Sequence, residues 1–491
     1  MDRDRPGALG LRRGDRRRSR SGAGQAERLS RRGDRRLHPV GLPACGGGRS
    51  VRAPRPAAPR PRPADGLTRV ARTLAGVGTA RRGLLFALVI TAGVLNLVDR
   101  QIIAVLKPQI ALDLGWSDDD YGTLAAWFQA GAATGFLFTG WIADRLGVKW
   151  ANPVGVAAWS VAALLHGWAH SVTQFVMVRV ALGATEAMGT PTATKTVAVV
   201  LPPAWRSTGF GVSNAASSLG AILAPLAIPA AALLFGWRGT FAAAGVVGLA
   251  WALAWLVATR GLTFDQARGG GDDAAGADTQ VDYGPILAER RTWAVAGAKV
   301  LSDATWWLLL FWLPDFFHRQ FGLAGVALGV PLAIAYGGAA VGSLLGGAVS
   351  TRLLARGHGV NAVRKGIMLA AALCVVPIPL ALTTHAYPLA VGLMALALAG
   401  HQAFSTNLFA LIADVVPQHK VGRVTAFGSF SGNVGGVVIS KVAGLLLAAG
   451  FGYLPLLLFA GASYLGALGW IHLLLPRIEG KGERPALVMR H

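Results

Sequence analysis

Charged residues are scarce in this 491-residue chain: 14% are Asp, Glu, Lys or Arg, while 53% are hydrophobic. A soluble protein normally has about 25% charged residues, so the shortage excludes an ordinary soluble globular fold. Only two cysteines occur, Cys45 and Cys374, which excludes a disulfide framework and a cysteine-based metal site. No His, Cys, Asp or Glu cluster has the spacing of metal ligands, and no phosphate-binding loop is found. We therefore expect no metal, no other cofactor and no ATP-driven chemistry.

The net charge of +23 is concentrated near the N-terminus. Residues 1–82 contain 22 of the 47 Lys and Arg residues but only 6 of the 24 Asp and Glu residues. This segment is rich in Arg, Pro and Gly and cannot bury an apolar core, so it is predicted to be disordered. It has no interleaved aromatic residues, and we do not expect it to bind nucleic acid. Two interpretations of this basic segment remain: it contacts anionic lipid, or it is a spurious upstream extension of the chain.

Twelve apolar runs of about 20 residues follow the tail, which is the length that crosses a bilayer as a helix. The runs lie near 84–106, 121–142, 150–168, 173–196, 208–231, 238–258, 293–317, 326–349, 366–384, 387–411, 424–448 and 452–475. We therefore predict an all-α membrane protein with twelve transmembrane helices. Its predicted parts are two six-helix bundles (83–259 and 293–476), a linker (260–292) and a C-terminal tail (477–491).

The distribution of basic residues predicts the orientation. Most Lys and Arg residues outside the tail lie in the connections that follow even-numbered runs, whereas the other connections contain little more than Arg238 and Arg319. By the positive-inside rule, both termini and the linker are cytoplasmic, in an inner membrane that the chain crosses many times.

The two halves repeat each other. The segment 135–145 aligns with 342–352 at an offset of 207 residues, and 206–211 aligns with 423–428. Parallel six-span repeats of this kind place a binding site between the halves, near the middle of the membrane.

The connection between the second and third runs resembles the signature of the major facilitator superfamily. The pattern is carried by Gly140, Asp144, Arg145, Gly147 and Lys149. The glycines allow close helix approach and a tight turn. Asp144 can cap a helix or pair with a cytoplasmic arginine when an inner gate is shut. The resemblance implies that these five residues form a conformational gate.

A closer resemblance is to the anion:cation symporter branch of that superfamily, and within it to bacterial hexuronate transporters. It is carried by 96–101 (NLVDRQ), 299–314 (KVLSDATWWLLLFWLP) and 401–409 (HQAFSTNLF). The resemblance covers about 84–476. The chain departs from the family near Gly131, where a tyrosine is expected and its hydroxyl is missing.

Two acidic and two basic residues lie well inside the first and fourth apolar runs: Asp99, Arg100, Arg179 and Glu186. A charge in the bilayer core costs roughly 2.5–3.5 kcal/mol on insertion scales, so such residues face a polar cavity or each other. The planar guanidinium of Arg100 matches a carboxylate, and the resemblance implies that it binds substrate. Arg179 is predicted to contribute to the same site. The alternative for Arg100 is a structural ion pair.

Two of these residues are acidic and are predicted to couple proton movement to transport. Removal from water favours the protonated form of a carboxylate, so a buried one can exchange a proton near neutral pH. The resemblance implies this role for Asp99 and Glu186. The alternative is permanent pairing, of Asp99 with Arg179 or of Glu186 with Arg100.

Neutral polar and aromatic side chains are predicted to recognise the rest of the substrate. The candidates are Gln129, Asn214, Trp307, His401 and Asn407. Each polar side chain among them is also a plausible interhelical hydrogen-bonding group without a substrate role.

The function expected from the sequence is proton-coupled import of an organic anion, most similar to a hexuronate or related sugar acid, by alternating access. The expected partners are that anion, the proton and lipid, and the expected state is a monomer. The alternatives are an exporter or antiporter of organic anions or drugs and a non-transporting membrane receptor or scaffold. No nucleophile–base arrangement indicates an enzyme.

Overall fold

The computed structural model describes residues 78–262, 264 and 283–478, and the regular structure in these ranges is helical. The predicted tail therefore lies almost entirely outside the described residues. The α-helices are α1 Thr79–Leu114, α2 Asp118–His166, α3 Val172–Glu186, α4 Gly189–Val200, α5 Pro203–Ala258, α6 Gly284–Leu287, α7 Arg290–Phe321, α8 Gly329–Ala355, α9 Val360–Val375, α10 Tyr387–Val415, α11 Gln418–Ala448 and α12 Leu454–Leu474. Short 3₁₀ helices occupy Gly325–Leu328 and Ile378–Leu382. Among the described residues, eight helical segments are long and apolar enough to cross a membrane.

Two of the long helices are each interrupted by one glycine. Gly147 in α2 has φ 67° and ψ 167°, and Gly236 in α5 has φ 68° and ψ 175°. Glycine adopts positive φ without the strain that a Cβ atom would introduce. The predicted runs 121–142 and 150–168 lie on either side of Gly147, and the tight turn predicted there is present. We refer below to the Gly147 end of the bundle and to the opposite end, where Lys107 lies, as the Lys107 end.

The fourth predicted run is interrupted in the structure. Helix α3 ends at Glu186 and α4 begins at Gly189, so 173–196 is not one continuous helix. The reason is Pro191, which has no backbone N–H to bond the carbonyl of Ala187 and whose ring crowds that carbonyl. The interruption therefore follows directly after the predicted proton-coupling carboxylate.

The start of the first helix also differs from the predicted domain boundary. Helix α1 begins at Thr79, whereas the first bundle was expected from residue 83. Arg81 belongs to this helix, and its Nε donates to the carbonyl oxygen of Ala258 at 3.0 Å. This contact joins the start of α1 to the end of α5.

Glycines allow α2 and α3 to pack closely. A Cβ atom added at Gly135 would lie 2.5 Å from the carbonyl oxygen of Ala184 and 2.8 Å from the Cβ of Ala187. Gly342, the repeat equivalent of Gly135, packs in the same way against the backbone of Ala399 in α10. The internal repeat read from the sequence is therefore also a repeat of helix packing.

This packing predicts the effect of adding one methyl group. We expect Gly135→Ala to destabilise the protein by about 1–3 kcal/mol, because the backbone of α3 cannot retreat without moving the whole helix. The matched control is Gly140→Ala on the same helix, where an added Cβ meets nothing within 4 Å. The thermal unfolding midpoint of the detergent-solubilised protein should fall for the first variant only. Equal midpoints would contradict the packing.

The two halves of the chain meet along several helix pairs. Helix α2 packs against α11, α5 against α8, and α1 against α7. Near the Lys107 end, a Cβ atom added at Gly122 would lie 2.8 Å from the Cα of Gly444, so the backbones of α2 and α11 are almost in contact there.

Ion pairs join the halves at the same end. The Nζ of Lys107 in α1 lies 2.8 Å from Asp118 Oδ1 and 2.7 Å from Asp315 Oδ1. Arg319 pairs with Asp315 at 2.7 Å and also contacts Asp118. The hydroxyl of Tyr453 donates to Asp315 Oδ2 at 2.5 Å. We name Lys107, Asp118, Asp315 and Arg319 the Lys107 cluster; it links the two halves at this end.

Candidate functional site

An ion pair joins helices α1 and α3 in the first half. The Nε of Arg100 in α1 is 2.5 Å from Oε2 of Glu186, the last residue of α3. The Glu186 side chain is fully buried, and its second oxygen, Oε1, has no hydrogen-bond partner among the described residues. In this state the carboxylate therefore neutralises one guanidinium and keeps one acceptor unused.

Arg179 is the second guanidinium of the site and forms no ion pair with any residue that the structure describes. Its side chain is fully buried, and none of its three guanidinium nitrogens has a hydrogen-bond partner among the described residues. Its Cζ lies 4.6 Å from the ring centre of Phe128 and 6.0 Å from that of Phe311. Cation–π contacts stabilise such a charge only partly, and a buried cation requires a paired anion for full compensation.

Arg100 also faces aromatic rings. We name Phe128, Trp307 and Phe311 the aromatic wall. Its Cζ lies 5.7 Å from the ring centre of Phe128 and 5.8 Å from that of Trp307. Phe128 belongs to α2, whereas Trp307 and Phe311 belong to α7 and stack on each other with ring centres 5.9 Å apart. The wall therefore comes from both halves of the chain, and the two guanidiniums lie where the halves meet.

Neutral hydrogen-bonding groups lie beside the two guanidiniums. We name Arg100, Arg179, Glu186, Gln129 and Trp307 the guanidinium site. Gln129 is fully buried, and neither its Oε1 nor its Nε2 has a partner among the described residues; the Nε1 of Trp307 is likewise unpartnered. A Cβ atom added at Gly436 in α11 would lie 2.6 Å from Cδ1 of Trp307 and 3.2 Å from Cδ of Gln129. Buried polar groups normally have partners, so these unsatisfied atoms can hydrogen-bond to a water or a ligand.

Asp99 lies beside Arg100 in α1, and only 3% of its surface is exposed. Within the described part of the chain it makes no hydrogen bond and no ion pair, and Glu186 and Arg100 are its nearest charged neighbours. The predicted alternative of an Asp99–Arg179 pair is therefore absent from this state, whereas the alternative Glu186–Arg100 pair is present.

Two predicted substrate residues have partners elsewhere in the second half. The Nδ1 of His401 is 2.6 Å from the hydroxyl of Tyr464, and its ring stacks on Trp306 at 4.8 Å. Asn407 donates to the carbonyl oxygen of Ala403 at 2.9 Å. Among the described contacts, none joins His401 or Asn407 to Arg100, Arg179, Glu186, Gln129 or Trp307. The side chain of Asn214 lies outside the described residues.

The gate motif forms its turn as expected, with one correction. Arg145 lies over Trp141, with its Cζ 4.1 Å from the ring centre, and Lys149 Nζ donates to the carbonyl oxygen of Leu262 at 3.2 Å. Gly140 was expected to allow close helix approach, but it is exposed and an added Cβ would meet nothing within 4 Å. The close approach occurs instead at Gly131 and Gly135. The side chain of Asp144 lies outside the described residues.

Sequence reasoning missed the aromatic wall. Phe128 and Phe311 were not singled out, although both contact Arg179. Aromatic residues are common in membrane helices, and a phenylalanine carries no mark of a cationic neighbour. The one available signal was the position of Phe128 next to Gln129.

Comparison with known families identifies the architecture. The sequence profile described as the Major Facilitator Superfamily matches residues 89–440. The chain belongs to the Major Facilitator Superfamily. Members of this superfamily and the relatives below are transporters rather than enzymes, and the chain is a multi-pass membrane protein with the all-helical fold of the family.

The relatives agree with the predicted branch. The chain is 27% identical over 418 residues to a D-galactonate transporter of Escherichia coli O6:H1, covering 80% of this chain and 95% of the relative. It is 28% identical over 407 residues to the hexuronate transporter of Escherichia coli K12, covering 79% and 92%. The resemblance to hexuronate transporters is therefore confirmed, and the protein is a superfamily transporter related to transporters of acid sugars and other anions.

A solved structure has the same fold. A bacterial homologue of the human lysosomal transporter Spinster, crystallised in an inward-facing and occupied conformation, matches with a TM-score of 0.65 and 19% identity. The match covers 81% of this chain and 96% of that structure.

Proposed function

We propose that the protein is a proton-coupled symporter that imports a small organic anion, of the sugar-acid class, by alternating access. One observation carries the proposal: among the described residues, the fully buried guanidinium of Arg179 has no hydrogen-bond partner, whereas Arg100 beside it pairs with Glu186. Asp99 forms no ion pair with either guanidinium among these residues, so Arg179 is left without a carboxylate contact at the junction of the halves. A carboxylate ligand would supply that contact.

The proposed topology has twelve membrane crossings, with both termini in the cytoplasm. The glycine interruptions in α2 and α5 divide each of these long helices into two crossings, and α3 with α4 forms one. Basic residues such as Arg145, Lys149 and Arg364 lie toward the Gly147 end, which the positive-inside rule makes cytoplasmic. The Lys107 end is then periplasmic.

Arg100 and Arg179 are proposed to bind the carboxylate of the substrate. A guanidinium donates two parallel hydrogen bonds to a carboxylate, and such pairs are stronger in a site from which water is excluded. The remainder of a sugar acid consists of hydroxyls and C–H groups. Gln129 and the indole N–H of Trp307 are the unpartnered groups available to the hydroxyls. Asn214, His401 and Asn407 remain candidates for contact in another state.

Glu186 is proposed to couple the proton to the anion. When a proton binds Glu186, the carboxyl becomes neutral and releases Arg100, which can then bind the substrate carboxylate. The site exchanges one negative charge for another, so the loaded protein carries no extra buried charge while the halves rotate. Asp99 is proposed as a second carrier of the proton, because it is buried next to Arg100 and has no ion pair with another described residue.

The D-galactonate and hexuronate transporters named above support the substrate class. Galactonate and hexuronates each have a carboxylate on a polyhydroxylated carbon chain. The same ligand chemistry matches the paired guanidiniums and the unpartnered amide and indole.

The Lys107 cluster is proposed to be the periplasmic gate. Opening this end separates Lys107 and Asp118 of the first half from Asp315 and Arg319 of the second. Removing one member of a buried ion pair costs about 3–5 kcal/mol, because the partner is left uncompensated.

Lys107→Met should therefore favour the state open to the periplasm. The reporter is a cysteine introduced at Ala126, which is buried and lies one helical turn after Gly122 in α2. The background has Cys45 and Cys374 replaced by Ser. We expect a membrane-impermeant thiol reagent added outside to label it at least about tenfold faster. The control is Arg238→Met, which removes an exposed pair with Asp113 inside the first half at the same end. Unchanged labelling in Lys107→Met would remove the gate assignment.

The test of the proposed function is uptake by proteoliposomes. Labelled D-galactonate, glucuronate and galacturonate are offered with an inside-alkaline pH gradient, with an inside-acidic gradient, without a gradient and with a protonophore. A symporter accumulates at least one of them above its external concentration only in the first condition. Accumulation driven by an outward proton gradient would indicate an antiporter instead, and the absence of transport in every condition would indicate a scaffold.

A further inference from the structure

The first half contains a polar pocket of about 200 Å³ on the Gly147 side of Glu186. Helices α1, α2, α4 and α5 form its wall, and every residue that lines it lies between Val89 and Ser213. Its polar lining includes Asn96, Asn152, Thr190, Thr194 and Ser213. The pocket therefore lies inside one half, whereas the guanidinium site lies where the two halves meet.

The pocket begins next to the ion pair. Asn96 precedes Arg100 by one helical turn, and its Nδ2 donates to the backbone carbonyl oxygen of Glu186 at 3.4 Å. Gly189 lines the pocket immediately after the interruption between α3 and α4. A side chain at this position would approach Asn96, since a Cβ added at Gly189 would lie 3.5 Å from Asn96 Nδ2. The pocket therefore reaches the backbone of Glu186 through Asn96, whereas the Glu186 side chain is not part of its lining.

The lining offers groups that bind water. Asn96, Asn152, Thr190, Thr194 and Ser213 bring amide and hydroxyl groups to the pocket. Trp159 also lines it, and its buried Nε1 has no acceptor among the described residues. A volume of about 200 Å³ holds roughly six waters at about 30 Å³ each.

We infer that this pocket is the hydrated route by which the proton on Glu186 leaves for the cytoplasm, separate from the passage that the anion takes between the halves. The inference rests on the proposed function. In the step, the O–H bond of the Glu186 carboxyl breaks, and the proton passes to a water between the carboxyl and Asn96, then through the pocket to bulk water. The electron pair stays on the carboxylate, which then pairs with Arg100 as in this structure. The other charged groups around Glu186 are Asp99 and Arg179.

The decisive variant fills the pocket without changing any charged group. Ala193→Leu adds three carbon atoms to the pocket wall, and Ala181→Leu makes the same change at an exposed position of α3. We expect Ala193→Leu to slow proton-driven accumulation by about tenfold or more. Exchange of labelled for unlabelled substrate at equal pH should stay within about twofold, because exchange does not require proton release. Ala181→Leu should leave both rates unchanged.

A second measurement reports the water directly and does not depend on transport. A cysteine at Ser213, in the background without native cysteines, should react with a small water-soluble methanethiosulfonate reagent from the cytoplasmic side. Adding Ala193→Leu should slow that reaction. If the cysteine is unreactive although the protein is folded, the pocket is dry and the inference is wrong.

The outcomes separate the inference from the proposed function. Equal loss of accumulation and exchange in Ala193→Leu would assign the pocket to the substrate passage and overturn the inference, as would the loss of neither. Both results would leave wild-type symport intact. A wild-type protein without proton-driven accumulation would instead refute the proposed function, and the inference with it.

Discussion

Replacing Arg100 with Ala is expected to abolish uptake while folded protein remains in the membrane. Truncating one partner of a buried, hydrogen-bonded charge pair typically costs about 2–5 kcal/mol, which is roughly a thirtyfold to several-thousandfold loss. The substrate carboxylate loses its bidentate donor, and Glu186 loses its partner at 2.5 Å. The measurement is initial uptake of labelled sugar acid, normalised to folded protein by size-exclusion chromatography in detergent.

Two further variants make this result specific. Arg100→Lys keeps the charge but not the planar fork, so it should recover only a small part of the activity. Arg238→Ala removes an arginine whose pair with Asp113 is exposed, and exposed ion pairs contribute little because water and salt screen them. Its uptake should match the wild type. Uptake by Arg100→Ala at the wild-type rate would remove Arg100 from the site.

Replacing Glu186 with Gln is expected to separate accumulation from exchange. The amide keeps the shape of a protonated carboxyl but cannot release a proton, so Arg100 stays free to bind the anion. Labelled substrate should therefore still exchange with unlabelled substrate across the membrane, while accumulation driven by a pH gradient falls to the level of simple equilibration. We expect a loss of at least about tenfold in the accumulation ratio.

The control for Glu186→Gln is Asp113→Asn, the same kind of change at an exposed carboxylate in α1. It should leave accumulation and exchange intact. If Glu186→Gln still accumulates substrate like the wild type, the coupling proton is carried elsewhere, and Asp99→Asn becomes the next variant to measure.

The sequence reveals those residues of the site that are energetically costly in a membrane helix. Asp99, Arg100, Arg179 and Glu186 are conspicuous because charges are rare in apolar runs. The turn at Gly147 is readable for a similar reason, since the family motif and positive φ both require glycine there. The interruption after Glu186 could also have been read from Pro191, and the prediction of one continuous run overlooked it.

The partners of those residues are not readable from one sequence. His401 bonds Tyr464, which is 63 residues away along the chain, and no local pattern predicts that contact. Phe128 and Phe311 lie 183 positions apart and both face Arg179, because α2 and α7 meet there. Contacts of this kind depend on how the helices pack, and packing depends on small residues such as Gly135 and Gly436 as much as on the charged ones.

The ion pairs at the Lys107 end and the pair at the centre have complementary places in the proposed cycle. The Lys107 cluster closes one end of the junction between the halves, and the Arg100–Glu186 pair occupies the site that the anion would fill. In the proposed cycle, this structure corresponds to the state after the anion and the proton have left. Loading from the periplasm requires both sets of pairs to separate.

The most direct measurement is the number of protons that the purified protein takes up when it binds the anion. Isothermal titration of sugar acid near pH 7, in buffers with different heats of ionisation, gives this number. The proposed mechanism predicts uptake of about one proton per anion, because the anion displaces Glu186 from Arg100, and none in Glu186→Gln. Binding with no proton uptake by the wild type, or equal uptake by Glu186→Gln, would contradict the mechanism.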